Sequence, residues 1–335
     1  MLRCATRVCY QVAAQSRPCY RADFFRPTSL GRRPKTHLSG GTTRRSQTLE
    51  SRSPGNRVRT LSMAANVSET SKKVAVVSGA NKGIGYEIAR QLAQAGLRVV
   101  LTARNKDLGT EAAKKVSEST GTSDVIFRQL DIADPASVDE FGKWAEQDLQ
   151  TVDILVNNAG IAYKGNIFGA EEARNTMATN FSGTRAVCER LERLLPEGGR
   201  IVNVCSLAGK LSILRSPELR TRFEKAASAE DVAKLSEEFL QAVANGSYQK
   251  EGWPGSMYGV SKLCEATYSR VLAEQLKPRG VAVYACCPGY VATDMSSFRG
   301  HKTTEQGADT PVWLALHAPA GGSGKFYSDR AEQPF

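Results

Sequence analysis

The chain has 335 residues, 41% of them hydrophobic, enough for the substantial core of an ordinary globular protein. Its net charge of +11 invites a nucleic-acid reading, but residues 1–60 hold 13 of the 45 Lys and Arg and only two acids, Asp23 and Glu50, so the remainder carries 32 charges of each sign. The basicity therefore belongs to a tail and argues against nucleic acid as a partner; the absence of any apolar run of about 18 residues likewise excludes a membrane-spanning helix.

Residues 1–62 form that tail. They are rich in Arg, Ser and Thr, poor in acids, and lack the apolar core of a secretory signal, as in an organelle transit peptide. Leu2, Arg3, Val8 and Val12 suit a short basic amphipathic helix and Arg59-Thr60-Leu61-Ser62 reads as a processing site, so the first expectation is a mitochondrial protein. Plastid import stands beside it, as does translation from Met63, which would leave a cytoplasmic protein.

From residue 72 onward, short β-branched runs alternate with longer amphipathic segments, the pattern of βαβ units around a parallel sheet. The first predicted strand, 74–77, runs into Ser78-Gly79-Ala80-Asn81-Lys82-Gly83-Ile84-Gly85 and a helix over 83–95. Gly79, Gly83 and Gly85 permit a tight turn and close approach of the backbone to a pyrophosphate, with the N–H groups of the helix start facing its charge. A glycine trio alone is weak; its place between a strand and a helix makes it a dinucleotide signature.

A second strand at 98–102 leads to Arg104, where a dinucleotide-binding chain commonly carries an acid for the adenine ribose. A guanidinium there suits a 2′-phosphate, and Lys82 offers a second cation, so NADPH is favoured over NADH unless both are simply solvated surface cations. Helix 106–119, strand 125–129, helix 136–148, strand 152–156 and helix 183–195 follow. Strand 200–205 ends at Ser206, a hydroxyl at the carboxyl edge of the sheet, where open α/β folds bind ligands.

The segment 211–252 interrupts the rhythm with helical periodicity and no following strand. Ser216-Pro217 reads as a helix start, and Ser228 with Asp231 as a capping box ahead of Val232, Leu235, Phe239 and Val243, so a helical insertion beside the active site is expected. A long helix over 256–276 opens with Tyr258-Gly259-Val260-Ser261-Lys262, whose four-residue spacing puts a phenol and an ammonium on one face. A neighbouring cation favours the phenolate and brings Tyr258 towards the working range of a general acid. Strand 281–285 follows, and 324–327 reads as a last one. The fold class is thus α/β: a single doubly wound, Rossmann-type parallel sheet over 72–335, with helices on both faces and an insertion before the tyrosine.

Cys4, Cys9 and Cys19 lie in the tail, and Cys188, Cys205, Cys264, Cys286 and Cys287 show neither paired nor CxxC spacing, so free thiols in a reducing compartment are expected. The three histidines, His37, His301 and His317, do not sit at ligand spacing with cysteines or carboxylates, and no metal site is expected.

Taken together, the glycine loop, Leu101-Thr102-Ala103-Arg104, Leu130-Asp131-Ile132, Asn157-Asn158-Ala159-Gly160, Thr179-Asn180-Phe181, Ser206, Tyr258 with Lys262, and the stretch from Cys287-Pro288-Gly289 to Val291-Ala292-Thr293-Asp294-Met295 resemble the short-chain dehydrogenases/reductases. Within that family the chain is similar to the monomeric NADPH-dependent carbonyl reductases, over nearly all of 72–335. The resemblance implies reduction of aldehydes, ketones or quinones, with a tetrad in which Ser206 orients the carbonyl, Tyr258 donates the proton, Lys262 holds the nicotinamide ribose and lowers the tyrosine pKa, and Asn180 supports a relay water. It implies further that Asn81, Lys82 and Ile84 share the loop contacts, that Asp131 and Ile132 flank the adenine, that Asn158 meets the adenosine ribose region, and that Val291, Ala292 and Thr293 meet the carboxamide. On the residues alone, Asn158 as a strand cap and Asn180 as a helix brace stay open.

The gap of 52 positions between Ser206 and Tyr258 resembles that of the monomeric members, in which extra helices obstruct the usual oligomer contact; a monomer is expected. Substrate contacts, including any to a glutathione adduct, would fall near Tyr163, Lys164 and Cys287. Residues 165–169 and 297–301 differ in character from those reductases, and Cys287 reads equally as a thiol at the substrate mouth or a core cysteine. A dinucleotide-binding redox sensor without turnover is the rival reading; three groups in catalytic register argue against it.

Overall fold

A computed structural model of the protein describes residues 72–319 and 321–334. The tail with its expected transit peptide, and Cys4, Cys9, Cys19 and His37 within it, lie outside the described residues.

The first half of the sheet comprises β1 (Val74–Val77), β2 (Arg98–Ala103), β3 (Val125–Gln129) and β4 (Ile154–Asn157). β5 (Arg200–Val204), β6 (Ala282–Cys287), β7 (Phe326–Ser328) and β8 (Ala331–Gln333) complete it. Their spatial order is β3-β2-β1-β4-β5-β6-β7-β8, parallel throughout except for β8, which runs antiparallel to β7. The order reverses between β1 and β4, and a doubly wound sheet has its ligand crevice at the carboxyl end of that reversal.

Strand periodicity explains why both faces are covered. Val74 and Val76 of β1 belong to one hydrophobic cluster, while Ala75 and Val77 belong to the other. The helices are α1 (Gly83–Gln94), α2 (Lys106–Thr120), α3 (Pro135–Trp144), α4 (Ala170–Met177), α5 (Thr184–Leu191), α6 (Pro217–Lys225), α7 (Ala229–Ala244), α8 (Met257–Leu276) and α9 (Thr304–His317). Buried apolar residues of α1, α2 and α9 join the Val77 cluster, and those of α3 to α8, except Ala266, join the Val76 cluster.

Segment 211–252 contains α6 and α7, each started as its local chemistry demands. The Ser216 hydroxyl accepts the Leu219 N–H with Pro217 at the first turn, and Ser228 and Asp231 form a reciprocal capping box. Val232, Leu235, Phe239 and Val243 line the buried face of α7, and Trp253 packs edge-on to Phe223 and tilted against Phe239. α4 and α7 both pack on α8, which also lies against β6, and α8 is buried almost all round.

Several elements differ from the sequence expectation. Predicted helix 136–148 passes from α-helix into a π turn at Ala145–Leu149, and predicted helix 183–195 is α5 between a π turn, Ala178–Gly183, and a 3-10 turn, Glu192–Leu194. The unpredicted α4 is short, and its N-cap, Gly169, has no side chain to signal a start. Gly307 and Pro311 break the periodicity of the unpredicted α9, although its Thr303–Gln306 capping box is legible. Finally, β8 is a charged, exposed edge strand that adds no apolar run.

Candidate active site

The glycine turn is held to the end of β4 by side-chain chemistry. Ser78 Oγ accepts the N–H groups of Asn158 and Ala159 at 3.0 and 3.1 Å, and Asn158 Nδ2 donates to the carbonyls of Ser78 and Gly79, both at 3.1 Å. Asn158 thus spends both amide protons on the loop. Space is so tight that a Cβ on Gly85 would lie 2.3 Å from Asn158 Nδ2 and 2.5 Å from the Gly79 carbonyl. The α1 N terminus beyond it has no side-chain cap and no acid in its first turn, so the N–H groups around Gly83, Ile84 and Gly85 suit a diphosphate.

Across the crevice lies the loop after β6. Val291 is buried, bridges to Lys302, and packs near Ile84 where α9 presents Gly307. The Ala292 N–H donates to the Lys302 carbonyl at 2.9 Å, and Ser296 Oγ donates to the Val291 carbonyl at 2.7 Å and accepts the Thr293 N–H at 3.1 Å. Thr293 Cγ2 faces Gly83, 3.5 Å from where a Cβ would stand. Lys82 Nζ donates to Asp294 Oδ2 at 2.6 Å, so the cation expected at a phosphate has a carboxylate partner, and Asp294 is held below the usual carboxylate range by it.

At the adenine end, Arg104 is exposed just past β2, its carbonyl accepting from Gln129 Nε2 at 2.8 Å. Asp131 is half-buried and accepts the Ala133 N–H at 3.0 Å, whereas Ile132 is buried in the core with its carbonyl against Gly183. Asp131 thus stays open to a ligand, while Ile132 mainly packs the fold.

The remaining groups converge at the carboxyl edge of β5. Ser206 lies two residues past the strand, its Oγ accepting the Ala208 N–H at 3.1 Å and lying close enough to the Tyr258 phenol to lower its pKa. Tyr258 and Lys262 sit one turn apart at the start of α8, whose N-cap Ser256 accepts the Gly259 N–H at 3.0 Å. Burial pushes the Tyr258 phenol up from its ordinary value, while Lys262 and Ser206 pull it down. The expected lowering by Lys262 is therefore present but outweighed by desolvation, an effect tempered because Tyr258 is only half-buried. Lys262 is buried; its Nζ donates to the Val204 carbonyl at 2.8 Å and to Glu265 Oε2 at 2.6 Å.

Asn180 lies in the π turn Ala178–Gly183, a local irregularity often found at functional positions. Its Oδ1 accepts the Ile161 N–H at 2.8 Å, and Nδ2 donates to the Ile161 carbonyl at 3.0 Å and to Ser261 Oγ at 2.9 Å. Ser261 in turn donates to the Tyr258 carbonyl at 2.8 Å. Gly160 joins the group: a Cβ there would lie 3.2 Å from Asn180 Oδ1 and 3.6 Å from Lys262 Nζ. With both amide protons engaged, a relay water would meet Asn180 only at Oδ1. Sequence reasoning missed Ser261 and Glu265; the latter's i+3 spacing from Lys262 was the available signal.

At the mouth, Tyr163 is 39% exposed, its hydroxyl accepting from Asn175 Nδ2 at 3.2 Å, and Lys164 is exposed. Cys287 is buried beside Cys205, Ala266 and Phe326, with Sγ accepting the Gly289 N–H at 3.3 Å, the packing of a core cysteine. Ile167, Leu207, Tyr290, Met295 and Phe298 expose apolar surface on the loops after β4, β5 and β6. Among the described residues the five cysteines are free, no cluster of His, Cys, Asp and Glu suits a metal, and no helix is long and apolar enough to cross a membrane.

Comparison with known proteins matches this framework. The sequence profile described as short chain dehydrogenase matches residues 73–217 and 243–304, passing over most of α6 and α7. Carbonyl reductase (NADPH) 1 of Rattus norvegicus is 40% identical over 276 residues, which cover 79% of this chain and 99% of that protein. Among solved structures, salutaridine reductase from Papaver somniferum is 31% identical with a TM-score of 0.71, covering 77% of this chain and 100% of that one. Menthone neomenthol reductase from Mentha piperita is 30% identical with a TM-score of 0.66, covering 76% and 98%.

Proposed function

Because this chain belongs to the short-chain dehydrogenase family, we propose that it reduces carbonyl compounds to alcohols, with Tyr258 as the proton donor. It is an NADPH-dependent oxidoreductase. The observation that carries the reading is the convergence of Ser206, Tyr258 and Lys262 at the carboxyl edge of β5, beside a glycine turn whose helix start suits a diphosphate.

When bound, NADPH supplies a hydride to the carbonyl carbon. The protein does the rest. Ser206 Oγ donates to the carbonyl oxygen and fixes its direction, and the Tyr258 phenol donates its proton to that oxygen as negative charge develops there. Lys262 has three N–H donors, of which two serve Val204 and Glu265, so one remains for the ribose hydroxyls. Asn180 ties the Ile161 loop to Ser261, hence to the backbone at Tyr258, and offers Oδ1 to a relay water. Arg104 and Lys82 supply positive charge for a 2′-phosphate, with Asp131 beside the adenine.

The apolar rim formed by Ile167, Leu207, Tyr290, Met295 and Phe298 favours aromatic or aliphatic aldehydes, ketones and quinones as substrates. Because α7 covers a face of α8, we expect a monomer, checked by light scattering. The decisive experiment follows NADPH consumption by the purified chain against a panel of quinones, ketones and aldehydes. Turnover of at least one apolar carbonyl compound, far faster than with NADH, is expected; no NADPH consumption across the panel would overturn the reading.

A further inference from the structure

Glu265 is a buried carboxylate that the reaction as derived does not use. It is fully enclosed on α8, one turn beyond Lys262, with Oε2 2.6 Å from the ammonium and Oε1 without a hydrogen-bond partner among the described residues. Both partners of this ion pair are almost wholly out of solvent, at 4% and 1% exposure, which separates it from the exposed pairs elsewhere on the protein.

A buried ammonium needs countercharge. The groups near Lys262 able to carry it are Glu265 and Tyr258 on its own helix and Cys205 at the end of β5. Burial pushes the Tyr258 phenol and the Cys205 thiol up, so both are neutral at physiological pH. Cys286 on β6 and Cys188 on α5 also face Glu265, and burial raises both thiols too. The countercharge therefore rests on Glu265, which raises the pKa of the lysine in return. The Val204 carbonyl contributes a dipole but no charge.

We propose that Glu265 is a positioning residue for the reduction: its carboxylate holds the Lys262 side chain at the Val204 carbonyl and keeps it an ammonium. The inference rests on the reductase reading for its consequence, but not for its test. Burial pushes the Glu265 carboxyl up to about 7, so the ion pair is completed in the neutral range and persists above it.

Three variants separate charge from shape. Glu265→Gln keeps the volume and an acceptor, Glu265→Met keeps the length without polarity should the amide not fold, and Glu265→Asp keeps the charge one methylene further away. Carbon NMR of the Lys262 ε-methylene, assigned by comparison with Lys262→Met, reads the titration of the ammonium without cofactor or turnover. Its midpoint is expected to fall by about one pH unit or more in the Gln and Met variants, a tenfold loss of proton affinity, and by less in the Asp variant.

The alkaline limb of kcat/KM for NADPH-dependent reduction of an apolar quinone is expected to move down by a similar interval in the Gln and Met variants. An unchanged Lys262 midpoint in a folded Gln or Met variant would overturn the proposal. Failure of the wild-type chain to turn over any carbonyl compound would instead overturn the reductase reading, with the NMR titration still deciding the role of Glu265.

Discussion

Lys82 and Asp294 close a 2.6 Å ion pair from the glycine turn to the loop after β6, across the crevice at the switch point of the sheet. Both side chains are well exposed, so the pair itself adds little to stability. Its importance lies in competition: an ammonium engaged by a carboxylate is less available to a phosphate. Replacing Asp294 by Asn is expected to tighten NADPH binding by about threefold at low salt, with NADH unaffected and the difference fading at high ionic strength. Fluorescence titration with both dinucleotides checks this, and a weaker NADPH complex would show the pair to be part of the binding surface.

Arg104 is exposed just past β2, and NADPH and NADH differ at the 2′ position proposed to lie beside it. Charge-assisted, bidentate contacts to a phosphate are about twice as strong as neutral ones. Arg104→Ala is therefore expected to weaken NADPH about tenfold to hundredfold while leaving NADH within about twofold. Equal loss for both dinucleotides would place the guanidinium elsewhere on the cofactor.

The elements around these sites were legible to different degrees, for physical reasons. β1 and its glycine turn read clearly because a four-residue apolar strand, a turn needing Gly79 at φ +62 and a helix start leave a local signature. The capping box of α7 did so too. By contrast, the π turn holding Asn180 carries no side-chain cap to mark it, and α9 hides behind Gly307 and Pro311. Glu265 was invisible as a buried charge because its burial depends on β5, β6 and α5 closing over this turn of α8, a tertiary fact. The same enclosure reversed the net direction expected at Tyr258, since proximity of a cation is readable from spacing and desolvation is not.

That reversal has a pH consequence. Reduction by the proposed mechanism needs the Tyr258 phenol protonated, and burial holds that phenol above its ordinary 10.0. The protonated fraction is then complete below that value and falls only as pH rises through it, so reduction is expected to stay level from neutral pH into the alkaline range. Oxidation of the alcohol, which needs the phenolate, is expected to rise with pH over the same interval. Tyr258→Phe removes the proposed proton donor and is expected to cost about 10²- to 10⁴-fold in kcat while leaving the NADPH dissociation constant nearly unchanged. Turnover retained in that variant would assign proton donation to another group.

Two glycines of the same turn should fail differently when given a methyl group. At Gly85 the added Cβ would meet Asn158 Nδ2 at 2.3 Å and the Gly79 carbonyl at 2.5 Å, so the loop, Asn158 or both must move. The hydrogen bonds that Asn158 makes to Ser78 and Gly79 are then lost together with the fit, and Gly85→Ala is expected to lower stability by about 1–3 kcal/mol even without cofactor. At Gly83 the nearest atom to an added Cβ is Thr293 Cγ2 at 3.5 Å, an ordinary contact, and the cost to the fold is mainly the strain of φ +61 on an L-residue, about 1–2 kcal/mol. The methyl would nevertheless stand between the glycine turn and Thr293, where the diphosphate is proposed to lie, and NADPH affinity is expected to fall more than the stability loss accounts for. Thermal denaturation without cofactor, set beside NADPH titration of each folded variant, separates the two effects. A Gly83→Ala protein that binds NADPH as tightly as the wild type would show that the diphosphate does not pass between that turn and Thr293.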